Sequence, residues 1–146
     1  MTSKLMDSGR EQTFVLVFEP GEEVMAGLLS FAAERRLAGA HFTAIGAFER
    51  VTLGFFEPEN KDYRRIPIDE QVELMSLVGN IARDDRGEPR VHAHVVVGKS
   101  DGTAHGGHLL EAHVRPTLEV VLVESARHLC RRTHPELGAA LLDLER

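Results

Sequence analysis

One stretch restricts this chain more than any other: VHAHVVVGKSDGTAHGGHLLEAHV, Val91–Val114. The stretch reads as two strands and a turn at Lys99-Ser100-Asp101-Gly102, where Asp-Gly is a strong short-range signal for a β-hairpin. The stretch holds five of the chain's eight histidines, so strand parity decides which of them meet. Successive side chains of a strand point to opposite faces, which puts His92 and His94 on one face. A pairing centred near Asp101 sets His94 opposite His108, and directly opposed residues share a face with Cβ atoms roughly 4.5–5.5 Å apart. His105 and His113 have the other parity and face away. A slip of one residue at Gly106-Gly107 would carry His108 to the wrong side.

Three converging imidazoles form a candidate metal site on His92, His94 and His108. Neutral ring nitrogens suit a divalent transition metal better than Mg²⁺ or Ca²⁺, which prefer oxygen. Zinc is the first expectation, with nickel or iron as alternatives. Such a site leaves a coordination position for water or substrate. The competing reading makes His92 and His94 ordinary cross-strand polar residues and His108 a turn residue. Glu73, Glu111 and Glu119 are candidates to orient a ligand or act as base. Glu119, flanked by apolar residues, is preferred among them, and Arg115 is a candidate anion contact. His41, His128 and His134 are assigned to structure or surface.

With 146 residues the chain fits one domain, residues 1–146, with an ordered core over about 12–144. Hydrophobic residues make up 42% and there is no Trp, so the core must come from Leu, Val, Ala and Phe. The formal charge of −6 has the wrong sign for a surface that holds nucleic acid by neutralising phosphates. Arg83–Arg90 is mixed in sign, and Arg127–Arg132 carries three arginines. A lone Cys130 excludes an internal disulfide and a cysteine-rich zinc module. No apolar run approaches the roughly 20 residues that span a bilayer. The first residues also lack a signal-peptide apolar segment. A cytoplasmic protein with no membrane partner is expected.

Along the chain, residues 1–11 are polar and expected to fray. Strands are predicted over 13–18, 63–68, 72–81 and 117–123, and on both sides of Gly46 between 41 and 56. In 72–81 the alternation sets Val72, Leu74, Ser76 and Val78 on one face, with Glu73, Met75 and Leu77 on the other. Gly46 and Gly54 mark a bulge or a close backbone approach, and Pro67 marks an edge strand. Val24, Leu28, Phe31 and Ala32, with Leu29 beside them, recur at helical spacing. They predict an N-terminal helix of about 16 residues stopped at Gly39. A C-terminal helix is predicted from about Pro135, with Leu137, Leu141 and Leu144 as its buried stripe. Strands that mostly follow one another directly argue an α+β fold on a largely antiparallel sheet, with one long N-terminal helix and a C-terminal helix.

GAFERVTLGFF (Gly46–Phe56), VELMSLVGNIA (Val72–Ala82), VHAHVVVGKSDG (Val91–Gly102) and GGHLLEAHVRPTLEVVL (Gly106–Leu122) come in an order and spacing that resembles the plants and prokaryotes conserved (PPC) domain. The resemblance runs from about Thr13 to Leu144. It implies antiparallel strands with a flanking helix, assembled as a homotrimer. The family's His-x-His and Gly-Gly-His elements fall on His92, His94 and His108. The implied fold is also similar to that of acetolactate decarboxylase, where three histidines hold zinc. Plant members carry the domain behind DNA-binding AT-hooks. The hook core Arg-Gly-Arg-Pro is missing here, because Arg86-Gly87-Glu88-Pro89 puts a glutamate where the second arginine would enter the minor groove. The plant segment Gly-Arg-Phe-Glu-Ile-Leu corresponds to Glu70–Met75 and keeps only Glu73. A second glycine often found after Gly46 is also missing.

Three functions follow. The first is a DNA-associated or regulatory homotrimer with a three-histidine metal site, with direct DNA binding disfavoured by the charge and the missing hook. The second is a metal-dependent enzyme using the open coordination position on a small molecule. The third is an oligomerisation module with a structural metal.

Overall fold

Apolar alternation governs most of the chain, and the described residues form nine strands and one helix. The computed structural model describes residues 1–8, 12–125 and 129–143, with residues 2–8 described by backbone alone. The strands are β1 (Thr2–Ser8), β2 (Gln12–Phe18), β3 (Gly39–Glu57), β4 (Asp62–Ile68), β5 (Val72–Arg83), β6 (Pro89–Gly98), β7 (Ala104–Glu124), β8 (Cys130–His134) and β9 (Ala139–Asp143). Helix α1 spans Val24–Arg35. All ladders are antiparallel except one parallel bridge between Arg83 and Cys130.

The sheet runs β1-β2-β7-β3-β5-β8-β9, with β4 on β3 and β6 joining β5 to β7. β3 pairs β5, β5 pairs β6, β6 pairs β7 and β7 pairs β3, so these four strands close on themselves. Closure leaves an interior that alternate residues must fill. Phe42, Phe48, Leu53, Leu77, Leu109 and Leu122 do so at 0–1% exposure. Each such side chain contributes about 1.5–3 kcal/mol by leaving water. On β6 the inward residues are Ala93, Val95 and Val97, which puts His92 and His94 on the outer face.

The helix is shorter than its periodicity predicts. Glu23 caps its start, its carboxylate accepting the Met25 N–H at 3.0 Å and the Ala26 N–H at 2.6 Å. Arg36 then takes a left-handed conformation, φ 55°, and the helix ends after 12 residues. Leu37 donates back to the Ala32 carbonyl at 3.0 Å, which closes the last turn. Gly39 is already paired in β3. Val24, Leu28, Phe31 and Ala32 are the buried face, and they pack on β6 and β7.

The expected C-terminal helix does not form. β8 and β9 make an antiparallel hairpin from Cys130↔Asp143 to His134↔Ala139. Gly138 at φ 70° and Pro135 shape its turn, where Leu137 and Gly138 both donate to the His134 carbonyl. Leu137 and Leu141 are 48% and 44% exposed rather than a buried stripe; Leu144 lies outside the described residues. Turn chemistry at Pro135 and Gly138 overrides the helical propensity of the Ala-Leu run. The fold is therefore mostly sheet with one short helix, and not α+β with two helices.

The N-terminus also departs from expectation: Thr2–Ser8 pairs with β2 as an added edge strand instead of fraying. In β5 the register shifts between Leu74 and Ser76. That bulge inverts parity, so Leu77 is buried and Ser76 and Val78 face out. Residues 104–124 form one 21-residue strand rather than two, passing Pro116 where the ladder to β3 skips from Val114 to Leu118. Gly46 lies at that crossing, where a Cβ would stand 2.3 Å from the Thr117 carbonyl oxygen. Among the described residues, no helix is long and apolar enough to cross a membrane.

Candidate metal centre

The β6–β7 hairpin turns at Lys99–Thr103. Lys99 donates to the Thr103 carbonyl and Gly102 to the Lys99 carbonyl, both at 2.9 Å. Gly102 takes φ 83°, and the Asp101 carboxylate accepts from the Thr103 N–H and hydroxyl. From that turn the register runs unbroken, Gly98↔Ala104 through Val96↔Gly106 to His94↔His108. No slip occurs at Gly106-Gly107.

His92, His94 and His108 meet on the outer face. Ring centroids lie 5.2 Å apart for His92–His94, 5.1 Å for His92–His108 and 5.5 Å for His94–His108. One nitrogen from each lies within 4.8 Å of the others. His105 is exposed on the hairpin beyond them, and His113 is engaged elsewhere, with its Nε2 3.1 Å from Glu111 Oε1.

The surroundings bring in three residues that sequence reasoning missed. Tyr63 of β4 stacks on His108, centroids 4.5 Å apart and planes 28° apart. Gly54 makes room for it, because a Cβ there would stand 2.8 Å from Tyr63 Cδ1. Arg131 of β8 is 6% exposed. It donates to Asn80 Oδ1 at 2.6 Å and to the Ala140 carbonyl at 2.9 Å, and its Nη2 lies 3.3 Å from His92 Nδ1. Asn80 is the cross-strand partner of His92. Sequence signals existed for each: Tyr63 is the chain's single tyrosine, Asn80 interrupts an apolar strand, and Arg131 belongs to the arginine-rich segment.

Burial lowers the pKa of His92, with Arg131 and His94 adding repulsion. Burial likewise pushes His108 down to about 4, assisted by His92, His94 and Arg131. Both rings are thus held neutral at pH 7, the protonation state that ligation requires. The Nδ1 of His108 is buried with no hydrogen-bond partner. An orphaned buried ring nitrogen beside two further imidazoles is a donor set that suits a divalent transition metal, so the residues present fit the ion. Ligand atom counts favour three protein donors and an open position.

The carboxylates lie elsewhere. Glu73 and Glu119 line a second cleft with Ile45, Met75 and Pro116. Arg115 is exposed, and its carbonyl accepts from Gln71. Glu111 is drawn to His113 and Arg65. None of these lines the cleft over His92 and His108, whose charged members are Asp84, Arg90 and Arg131. His41 is exposed on β3, His134 contacts Glu136 in the β8–β9 turn, and His128 lies outside the described residues.

Comparison with known proteins agrees with this fold. A candidate DNA-binding protein from Bacteroides thetaiotaomicron superposes with a TM-score of 0.87 at 30% identity, covering 99% of both chains. A plant- and prokaryote-conserved protein from Pyrococcus horikoshii gives 0.84 at 32%, covering 97% of this chain and 94% of that one. A metal-containing protein from Archaeoglobus fulgidus gives 0.82 at 29%, covering 98% and 99%. Acetolactate decarboxylase from Bacillus subtilis shares the fold alone, at 15% identity and a TM-score of 0.57 over 88% of this chain and 59% of that one. Among curated proteins, the bifunctional protein GlmU of Synechococcus sp. (strain JA-3-3Ab) is 28% identical over 97% of this chain, which spans 22% of its length. The family model of the Plants and Prokaryotes Conserved (PCC) domain matches residues 6–126. On that match, the chain belongs to the plants and prokaryotes conserved domain family.

Proposed function

We propose that this chain binds a divalent transition metal, zinc first, through His92, His94 and His108, and does so as a homotrimer. The observation that carries the metal reading is the convergence of three imidazole nitrogens within 4.8 Å around a buried, partnerless His108 Nδ1. The metal-containing relative from Archaeoglobus fulgidus supports it. Bound there, the ion would supply Lewis acidity. The chain's own groups set the frame: Tyr63 fixes the His108 ring by stacking, and Asn80 holds Arg131 beside His92.

The trimer reading rests on an apolar face. Ile45, Met75, Val78, Val96 and Val121 are 40–62% exposed, and grooves on the outer sheet connect them to one another and to His94. A contiguous apolar patch of this kind marks an association surface, and closed symmetry lets one patch serve every copy.

An enzymatic role is the second reading, favoured by the cleft of about 440 Å³ that opens beside His92 and His108. A DNA-associated role enters through the names of relatives. The charge of −6 opposes direct contact. So does the β5–β6 turn, where the Asp84 carboxylate binds Arg90 and the backbone N–H groups of Arg86 and Glu88. We therefore assign any DNA role to assembly with partners. Titrating chelator-treated protein with Co²⁺ tests the metal reading: visible bands should saturate at about one ion per chain. A spectrum without them contradicts it.

A further inference from the structure

Arg131 is a buried cation with no counter-ion among the described residues. A guanidinium carries five N–H donors and no acceptor. Those of Arg131 reach the Ala140 carbonyl, Asn80 Oδ1 and His92 Nδ1, all neutral groups. Its Nε is buried with no hydrogen-bond partner. Among the described residues, no carboxylate forms an ion pair with it. Asp84, the acid that lines the same cleft, is held by Arg90 at 2.9 Å. An unpaired buried charge is costly, and the usual remedy is an opposite charge brought to it.

Metal occupancy sharpens the need. Three neutral imidazoles would leave the charge of a bound divalent ion uncompensated, beside a guanidinium that lies 3.3 Å from His92 Nδ1. Binding through either nitrogen of His92 also ends its contact with Arg131. Ligation by Nδ1 uses the lone pair that Arg131 addresses. Ligation by Nε2 moves the ring proton to Nδ1, which then faces Arg131 as donor against donor. A third guanidinium N–H is released into the cleft.

We infer that the cleft between β4, β6 and the β8–β9 hairpin binds a small organic carboxylate, seated between the histidine cluster and Arg131. The inference rests on the three-histidine metal reading and names the ligand class of that site. Val91, Ala139, Ala140 and Leu141 add apolar lining to the same cleft, which suits a short hydrocarbon tail and disfavours a bare inorganic oxyanion.

The test uses zinc-loaded protein, with zinc content measured before ligand is added, followed by calorimetric titration with butyrate, butyramide and inorganic phosphate. Butyrate should saturate, and butyramide and phosphate should each bind at least tenfold more weakly. Arg131→Gln should weaken butyrate at least tenfold at unchanged zinc content, with Arg131→Lys intermediate. Equal butyrate affinity in wild type and Arg131→Gln overturns the inference, as does butyramide binding as tightly or phosphate binding more tightly. If neither variant holds zinc, the wild-type ligand comparison decides alone. A wild type that takes up no zinc refutes the metal reading itself, and this inference falls with it.

Discussion

His94 lies directly across the β6–β7 ladder from His108, and that ladder is unbroken to the turn centred on Asp101. The pairing places two imidazoles on the outer face, and strand alternation adds His92. Backbone hydrogen bonds thus organise the cluster without help from a ligand. The interior face of the same strand, Ala93, Val95 and Val97, is 0–2% exposed. Burial on one side therefore fixes the histidines on the other.

The bulge in β5 is tested by two alanines. Leu77 is fully buried and Ser76 exposed. Leu77→Ala should cost about 2–5 kcal/mol in urea unfolding, and Ser76→Ala should stay within about 0.5 kcal/mol. Unbulged alternation would put Ser76 inward with Leu74, so comparable costs at the two positions would contradict the register.

Acid should destabilise the metal-free protein through His108. Its pKa is about 4 in the folded state against an ordinary 6.5. Between those values the unfolded chain binds more protons, so stability rises with pH and is lost as pH falls from about 6.5 towards 4. The lowered His92 adds in the same direction. Thermal melts between about pH 7 and pH 4.5 should show this slope, and His108→Gln should flatten it. An equally steep slope in the variant would mean that other groups carry the dependence.

Assembly is tested at Val78, 50% exposed on the apolar face. Light scattering of the wild type should give about three times the chain mass of 16.2 kDa. Val78→Asp should give a smaller species with unchanged circular dichroism, because the side chain contributes little to the interior. A monomeric wild type would rule the trimer out.

Direct DNA binding should be absent. At ~150 mM salt a retardation assay with A·T-rich duplex should show no shift at micromolar protein, because weak phosphate contacts fade steeply with salt. A sequence-dependent shift would show that a local surface outweighs the net charge of −6.

Much of the candidate site was legible in the sequence because it depends on local rules. Asp101-Gly102 fixed the turn, and parity then separated His92, His94 and His108 from His105. Parity failed for His113, because the register shift between Leu109 and Glu111 returns it to the outer face opposite Arg50, where its contact with Glu111 holds it apart from the cluster. Tyr63 and Arg131 were not legible as neighbours. Each comes from another strand, placed by the β3–β4 ladder and by the bridge between Arg83 and Cys130, and neither pairing has a local signature. The C-terminal segment misled for a different reason. Leu137, Leu141 and Leu144 satisfy helical spacing, but Leu137 and Leu141 serve a hairpin once Gly138 turns the chain at φ 70°. Parity in β5 failed at the bulge after Leu74, where one extra residue inverted every later position.

The most direct measurement is the metal content of protein purified without chelator, compared with that of His94→Ala. The account predicts about one transition-metal ion per chain in the wild type and a loss of at least tenfold in the variant, with His41→Ala unchanged. Equal metal content in wild type and His94→Ala, or none in either, would contradict a centre built on His92, His94 and His108.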